Sequence, residues 1–254
     1  MAVENAGEIL WNAFQKGEYF PAELSGRLSL EEGYRIQRDM LNRWLAAGEQ
    51  QAGWKLAFTA EGGRKMFNSP TLGMGYLLKK AHFENGRSFP FDSIKSPAIE
   101  VELCFTLSET LKGPGITREQ VGGCVASIAP AFEVLERRGP MAEDLPLGVA
   151  DNIFQKAFVT GQQVTDFSGG VNPADFKAVI KTNGKVFKEV GAEVIDDQLE
   201  CIAWLANRLA ENGQPLEAGA QIMTGSYIPA TPVNKGDVWE AEFNLFGGVQ
   251  VSFP

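Results

Sequence analysis

Over the first fifty residues the apolar positions recur with the period of a helix. Between Ala6 and Lys16, the residues Ile9, Leu10, Ala13 and Phe14 form an i, i+1, i+4, i+5 stripe, the pattern of an amphipathic helix. A polar, proline-containing break follows from Tyr19 to Gly26. Ser29 and Glu32 then have capping-box spacing, in which hydroxyl and carboxylate each satisfy a free backbone N–H at the other's position. The helix they open carries Tyr34, Ile36, Met40, Leu41 and Leu45 and is expected to end near Gly48.

From Gly53 the period shortens. Gly53 to Phe58 reads as a buried strand, and Gly73 to Leu78 as a loop entering another. Ile99 to Leu107 alternates, with Ile99, Val101, Leu103 and Phe105 on one face and Glu100, Glu102, Cys104 and Thr106 on the other. Thr117 to Gln120 with Val121 opens a short helix, and Ile128 to Leu135 reads as a strand. Phe176 to Thr182 and Lys185 to Lys188 flank Asn183-Gly184, a strong hairpin signal because both turn residues tolerate positive φ. Asp197 to Asn212 is an amphipathic helix stopped by Gly213, and Ala220 to Thr224, Val238 to Phe243 and Gly248 to Phe253 read as closing strands. With no internal repeat or low-complexity linker, the pattern predicts one α+β domain over 1–254. A helical N-terminal segment (1–50) precedes a sheet-rich catalytic core (51–254).

A formal charge of −9 at pH 7 argues against nucleic acid as a partner, since phosphates require a basic patch. The pairs Lys79-Lys80 and Arg137-Arg138 read as solvated surface. The N-terminus has no basic region followed by an apolar run, and no stretch approaches the roughly 18 to 20 apolar residues of a membrane span. The expectation is a cytoplasmic protein with no membrane partner. Cys104, Cys124 and Cys201 are odd in number and widely spaced, so buried, reduced thiols are expected.

The chemistry concentrates in carboxylates. Strand periodicity puts Glu100 and Glu102 on one face, and Glu133 stands alone in Ala131-Phe132-Glu133-Val134-Leu135. Burying such groups uncompensated costs several kcal/mol on the order of the usual ion penalty, which a divalent cation removes. Three carboxylates, one histidine and no paired cysteines suit Mg²⁺ or Mn²⁺ better than zinc. The same spacing also fits an edge strand whose solvent face carries both acids, and spacing does not choose between the two.

The ordered set of segments resembles the hydratase and decarboxylase branch of the fumarylacetoacetate hydrolase superfamily, the lyases of aromatic meta-cleavage pathways. The segments are Gly33-Tyr34-Arg35-Ile36-Gln37, Gly53-Trp54-Lys55-Leu56-Ala57-Phe58-Thr59, Pro97 to Phe105, Leu111-Lys112-Gly113-Pro114-Gly115 and Pro130-Ala131-Phe132-Glu133-Val134. They continue with Ala150-Asp151-Asn152, Ala203 to Asn207, Met223-Thr224-Gly225-Ser226, Lys235-Gly236-Asp237 and Gly247 to Phe253. The resemblance implies a curved mixed β-sheet roll and a homo-oligomer, and it is compatible with association with a neighbouring pathway enzyme. It assigns Mg²⁺ to Glu100, Glu102 and Glu133, a general acid/base or anchoring role to Lys55, and substrate contacts to Thr59 and Ser226.

The implied activity is water addition to a 2-hydroxy-2,4-dienoate held through its 2-oxo and carboxylate oxygens, with decarboxylation of a 2-oxo-3-enedioate as the alternative. Hydratases of the branch carry an acid in a Pro-Asp-aromatic-Gly loop, where this chain reads Gly73-Met74-Gly75-Tyr76-Leu77, so Met74 or a neighbour replaces a water-activating base. Lys156 is a second departure, expected to point outward. Carbon–carbon hydrolases of the superfamily use a His-Glu pair, whereas His82, the sole histidine, reads as a loop residue. A binding protein that kept the fold without the chemistry is the reading from another class.

Overall fold

The structure is a computed structural model describing residues 4–167 and 170–254. Two helices lead, α1 (Ala6–Gln15) and α2 (Leu30–Ala46). Both halves of the Ser29/Glu32 capping box form, which fixes where α2 begins. The edge-on ring pairs Trp11–Trp44 and Phe14–Trp44 lock the two helices together.

The chain then builds an eight-stranded sheet. Its strands are β1 (Gln51–Ala57), β2 (Gly73–Leu78), β3 (His82–Glu84), β5 (Pro97–Leu107), β6 (Val125–Glu136), β7 (Gln155–Thr160), β10 (Gln221–Met223) and β11 (Thr231–Pro232). The order is β2-β1-β10-β5-β6-β7-β3, with β11 beside β5, and the pairing is mixed, parallel at β1/β10 and β3/β7. A second sheet holds β4 (Arg87–Ser88), β8 (Lys177–Thr182), β9 (Lys185–Gly191), β12 (Asp237–Phe243) and β13 (Gly247–Phe253), in the order β4-β13-β12-β8-β9. The hairpin β8–β9 turns through Asn183 and Gly184, at φ 51° and 75°, as the sequence predicts. Short helices α3 (Glu61–Met66), α4 (Arg118–Gly123) and α5 (Leu145–Ala150) fill connections, and α6 (Gln198–Ala210), capped by Asp197, packs on α4. The α+β expectation holds.

Several local expectations do not. Gly73–Leu78 is a strand buried throughout, because it pairs with β1 over nearly its full length. His82 is not in a loop. It opens β3, half-buried and stacked on Phe158 with ring centroids 4.6 Å apart. Of the pair Arg137-Arg138, only Arg137 is exposed; Arg138 is buried on Asp151. Cys104 and Cys201 are buried, but Cys124, at the end of α4, is only partly so. Lys156 does point outward, to Glu136 Oε2 at 3.1 Å. Finally, β5 is a central strand between β10 and β6 rather than an edge, and Glu102 is fully buried with Glu100 only partly exposed, so the two acids do not line a solvent face.

Candidate metal centre

Register brings the three acids together. In the β5/β6 ladder Glu100 lies directly opposite Glu133, and Glu102 lies opposite Ala131. Facing positions in an antiparallel pair have Cβ atoms roughly 4.5–5.5 Å apart, and Glu102 is one pleat along the same face. One oxygen from each of the three carboxylates lies within 4.8 Å of the others. Lys55 joins them on the same face, because Lys55 pairs with Met223 across β1/β10 and Met223 with Cys104 across β10/β5. Its Nζ lies 2.9 Å from Glu133 Oε1 and 3.9 Å from Glu100 Oε2. Leu77, Cys104, Ala131, Phe158 and Met223 surround the charges as a separate apolar cluster.

Charge and solvation do not balance here. Three carboxylates face one ammonium, and Glu102, Glu133 and Lys55 are essentially without solvent contact. Glu100, with its side chain 21% exposed, marks the open side. Glu102 Oε1 and both Glu133 oxygens lack a hydrogen-bond partner; the Glu133–Lys55 contact is close but poorly aligned. Burial, then the neighbouring Glu133 and Glu100, raises the Glu102 pKa well above the ordinary carboxylate value. Burial pushes Glu133 up to about 7 despite Lys55, and it raises Glu100 as well. Burial alone would lower the Lys55 pKa, but Glu133, Glu100 and Glu102 outweigh it and the net shift is upward, so Lys55 stays an ammonium. Orphaned buried carboxylate oxygens converging on one point fit a hard divalent cation, whose charge and oxygen preference supply what the protein withholds.

Glycines and a strained turn make room for this arrangement. A Cβ on Gly75 would meet Asn152 Oδ1 at 2.7 Å and the Lys55 side chain at 3.1 Å. Asn152 grips the Tyr76 peptide from both sides, accepting from its N–H at 2.8 Å and donating to its carbonyl at 2.9 Å. Asn152, Ile153 and Phe154 all have left-handed backbones, at φ 56°, 47° and 63°. Each such non-glycine residue costs on the order of 1–3 kcal/mol and persists only when its surroundings over-determine it. The turn delivers the Ile153 carbonyl to Lys55 Nζ at 3.4 Å. Asp151-Asn152 belongs to the set of segments that carries the family resemblance, but nothing in the residue types announces three left-handed residues, one of them β-branched.

On the other side, Gly225 donates its N–H to Glu102 Oε2 at 2.8 Å. Its φ of 103° requires glycine, and any Cβ at this position would overlap Thr59 Oγ1. Thr59 is therefore buried against the segment that caps Glu102. The Ser226 hydroxyl is engaged with the β5 backbone, accepting from Val101 N–H at 3.0 Å and donating to Val101 O at 3.2 Å. Met74 lies on the opposite face of β2 from Gly75, in the main core, with its carbonyl held by Gln37. The β2 positions sharing a face with Lys55 are Gly73, Gly75 and Leu77. His82 is two strands from Glu133, with Phe158 between them, and hydrogen-bonds Thr160 at 2.8 Å.

Comparison with known proteins places these residues in context. The family model described as fumarylacetoacetate (FAA) hydrolase C-terminal matches residues 65–253. A 2-hydroxyhexa-2,4-dienoate hydratase of Comamonas testosteroni is 28% identical over 99% of this chain and 97% of its own length. A 4-oxalocrotonate decarboxylase of Pseudomonas sp. (strain CF600) is 30% identical over 83% of this chain and 80% of its own. Among solved structures, the 4-oxalocrotonate decarboxylase of Pseudomonas putida G7, complexed with magnesium and adipate, superposes with a TM-score of 0.89. It covers 98% of this chain and 95% of that one at 26% identity. With the matched family model spanning most of its length, the chain belongs to the fumarylacetoacetate hydrolase family.

Proposed function

We propose that this protein is a divalent-metal-dependent lyase for a small 2-oxo acid, adding water to a 2-hydroxy-2,4-dienoate. The observation that carries the reading is the set of converging, under-satisfied carboxylates of Glu100, Glu102 and Glu133. These residues would hold Mg²⁺ or Mn²⁺, which supplies Lewis acidity toward a substrate's 2-oxo and carboxylate oxygens. Glu100 marks the side from which substrate arrives. Lys55 serves as a general acid/base or as an anchor for developing negative charge. Leu77, Phe158 and Met223 keep bulk water from the cluster, which strengthens every charge interaction within it. The Gly225 N–H fixes the Glu102 carboxylate in place, with Thr59 packed against that glycine.

Decarboxylation of a 2-oxo-3-enedioate is the second reading, and one observation favours it. The β2 positions that share a face with Lys55 are Gly73, Gly75 and Leu77, none of which can activate water. Loss of CO₂ requires no water-activating base, whereas hydration does. A carbon–carbon hydrolase of the His-Glu kind is disfavoured by Phe158, which stands between His82 and Glu133. The test is ultraviolet disappearance of the enol on 2-hydroxydienoates, with CO₂ measured on 2-oxo-3-enedioates, each with Mg²⁺ and with chelator. Chelator-sensitive turnover without CO₂ supports the hydratase, and CO₂ release supports the decarboxylase. Retained metal with no turnover on either class sinks both in favour of a binding protein.

A further inference from the structure

Arg138 is the most completely enclosed cation outside the acid cluster, and its position follows from the end of β6. Two residues beyond that strand, its guanidinium turns inward beneath the rings of Phe14, Tyr19 and Phe154, with centroids 5.5–5.8 Å away. Its hydrogen bonds all go to one short stretch of chain, while Nη1 also lies 3.5 Å from Glu136 Oε2. Nε donates to Asp151 Oδ2 at 2.7 Å, Nη2 to the Asp151 carbonyl at 2.7 Å, and Nη1 to the Gln155 carbonyl at 3.3 Å. Asp151 and Gln155 are the residues on either side of the left-handed turn Asn152-Ile153-Phe154.

A planar fork with several fixed donors can span two carbonyls at once, which a lysine ammonium cannot do in the same geometry. The bracketed turn touches the site at two points. The Ile153 carbonyl accepts from Lys55 Nζ, and the Asn152 amide grips the Tyr76 peptide next to Gly75, whose missing Cβ leaves room for the lysine. Without an outside restraint, an isoleucine at φ 47° would relax toward negative φ and carry its carbonyl away from Lys55.

We propose that Arg138 is a positioning residue for Lys55: its guanidinium brackets the strained turn, holds the Ile153 carbonyl on the lysine ammonium, and so keeps Nζ aimed at Glu133. This rests on the reading that Lys55 serves the reaction.

The test uses the full-length, Mg²⁺-loaded protein made with isotopically labelled lysine, in which the Lys55 ammonium resonance is identified by its absence from Lys55→Met. In the unsubstituted protein the buried ammonium should give a slowly exchanging signal. Arg138→Lys keeps the charge beside Asp151 but releases the bracket. It should broaden or shift that signal and lower kcat on the order of 10²-fold, the cost of a misplacement of about 1 Å. KM and Mg²⁺ affinity should stay within about twofold, since ground-state binding is untouched. Adding Ile153→Gly, which accepts positive φ without penalty, should restore both signal and rate. If Arg138→Lys does not fold, the pair Arg138→Met with Asp151→Leu leaves no unpaired charge between those positions and carries the same expectations. An unchanged Lys55 resonance overturns the proposal whatever the rate does, as does a loss that Ile153→Gly leaves unrepaired. A protein that turns over neither substrate class refutes the functional reading instead, and the resonance still decides this one.

Discussion

Two buried ionic clusters lie on this sheet, built from similar groups and finished differently. Around Arg138, the carboxylates of Asp151 and Glu136 meet a guanidinium and the Lys156 ammonium. Glu136 also accepts the Lys95 N–H at 3.0 Å, and Arg138 has three hydrogen bonds. Around Lys55, three carboxylates meet one ammonium, and oxygens on Glu102 and Glu133 have no hydrogen-bond partner. A buried ion pair survives desolvation only when its remaining donors and acceptors are satisfied. The Arg138 cluster meets that condition from within the chain, and the Lys55 cluster does not. That difference separates an internally satisfied clamp from a cluster with acceptors to spare, and it gives opposite expectations for the same kind of substitution.

The largest effect is expected at Glu102. Glu102→Gln removes one ligand charge and should cut Mg²⁺-dependent turnover on the order of 10⁴-fold, about 5 kcal/mol of barrier. The metal-free protein should at the same time melt at an equal or higher temperature, because one source of like-charge repulsion is gone. Steady-state kinetics and calorimetry in chelator check the two halves. Unchanged turnover would remove Glu102 from the ligand set. The matching substitution in the clamp behaves oppositely. Asp151→Ala strands a buried guanidinium and should cost about 3–5 kcal/mol of stability, read by denaturant unfolding. A loss below about 1 kcal/mol would mean that the Arg138 cluster is no better satisfied than the other one.

The two clusters are not equally visible in the sequence. Glu100, Glu102 and Glu133 stand out because charged residues interrupt apolar strands with a period of two, and the backbone register then does the rest. The apolar neighbours of Lys55 point to partial burial, and the structure buries it fully, since three carboxylates compensate it. Arg138 reads as surface because a basic pair in sequence says nothing of an acid thirteen residues away folding back upon it. The left-handed turn is also hidden: Asn152 tolerates such a backbone, but Ile153 and Phe154 adopt it only because tertiary contacts insist. Gly73–Leu78 misleads in a different way. Its glycines suggest a loop, yet Gly75 is there to admit Lys55 and Asn152 within a strand.

Metal should divide the clusters next. Mg²⁺ at a hundredfold excess over its dissociation constant stabilises a protein by about 2.7 kcal/mol. For a chain of this length that is roughly 5–10 °C in Tm. The gain should disappear in Glu133→Gln and persist in Glu136→Gln, which belongs to the other cluster. Equal gains in both variants would place the cation elsewhere.

The smallest effect is the dependence of stability on pH, and there the two clusters should pull in opposite directions. In chelator, Glu133 has a folded-state pKa of about 7, raised by burial over the ordinary value of 4.5, and Glu102 is raised as well. The folded chain therefore binds more protons than the unfolded one between these values, and stability falls as pH rises. The Glu133 contribution is complete below about pH 4.5 and is lost as pH climbs through 7, and the Glu102 contribution is likewise lost as pH rises through its raised pKa. Glu136 is the reverse. Burial would raise its pKa, but the Lys95 N–H, Lys156 and Arg138 outweigh that and hold it below the ordinary value. Its contribution is present at neutral pH and is lost only in acid, as pH falls through the lowered pKa. A Tm series from pH 5 to 8 in chelator should decline by a few degrees, roughly the size of one or two kcal/mol. Glu133→Gln should reduce the decline, whereas Glu136→Gln should leave it intact. Mg²⁺ competes with those same protons, so its stabilisation should grow over the same range. A flat series in the unsubstituted protein would mean that the buried acids of the Lys55 cluster are already compensated, and the contrast between the two clusters would collapse.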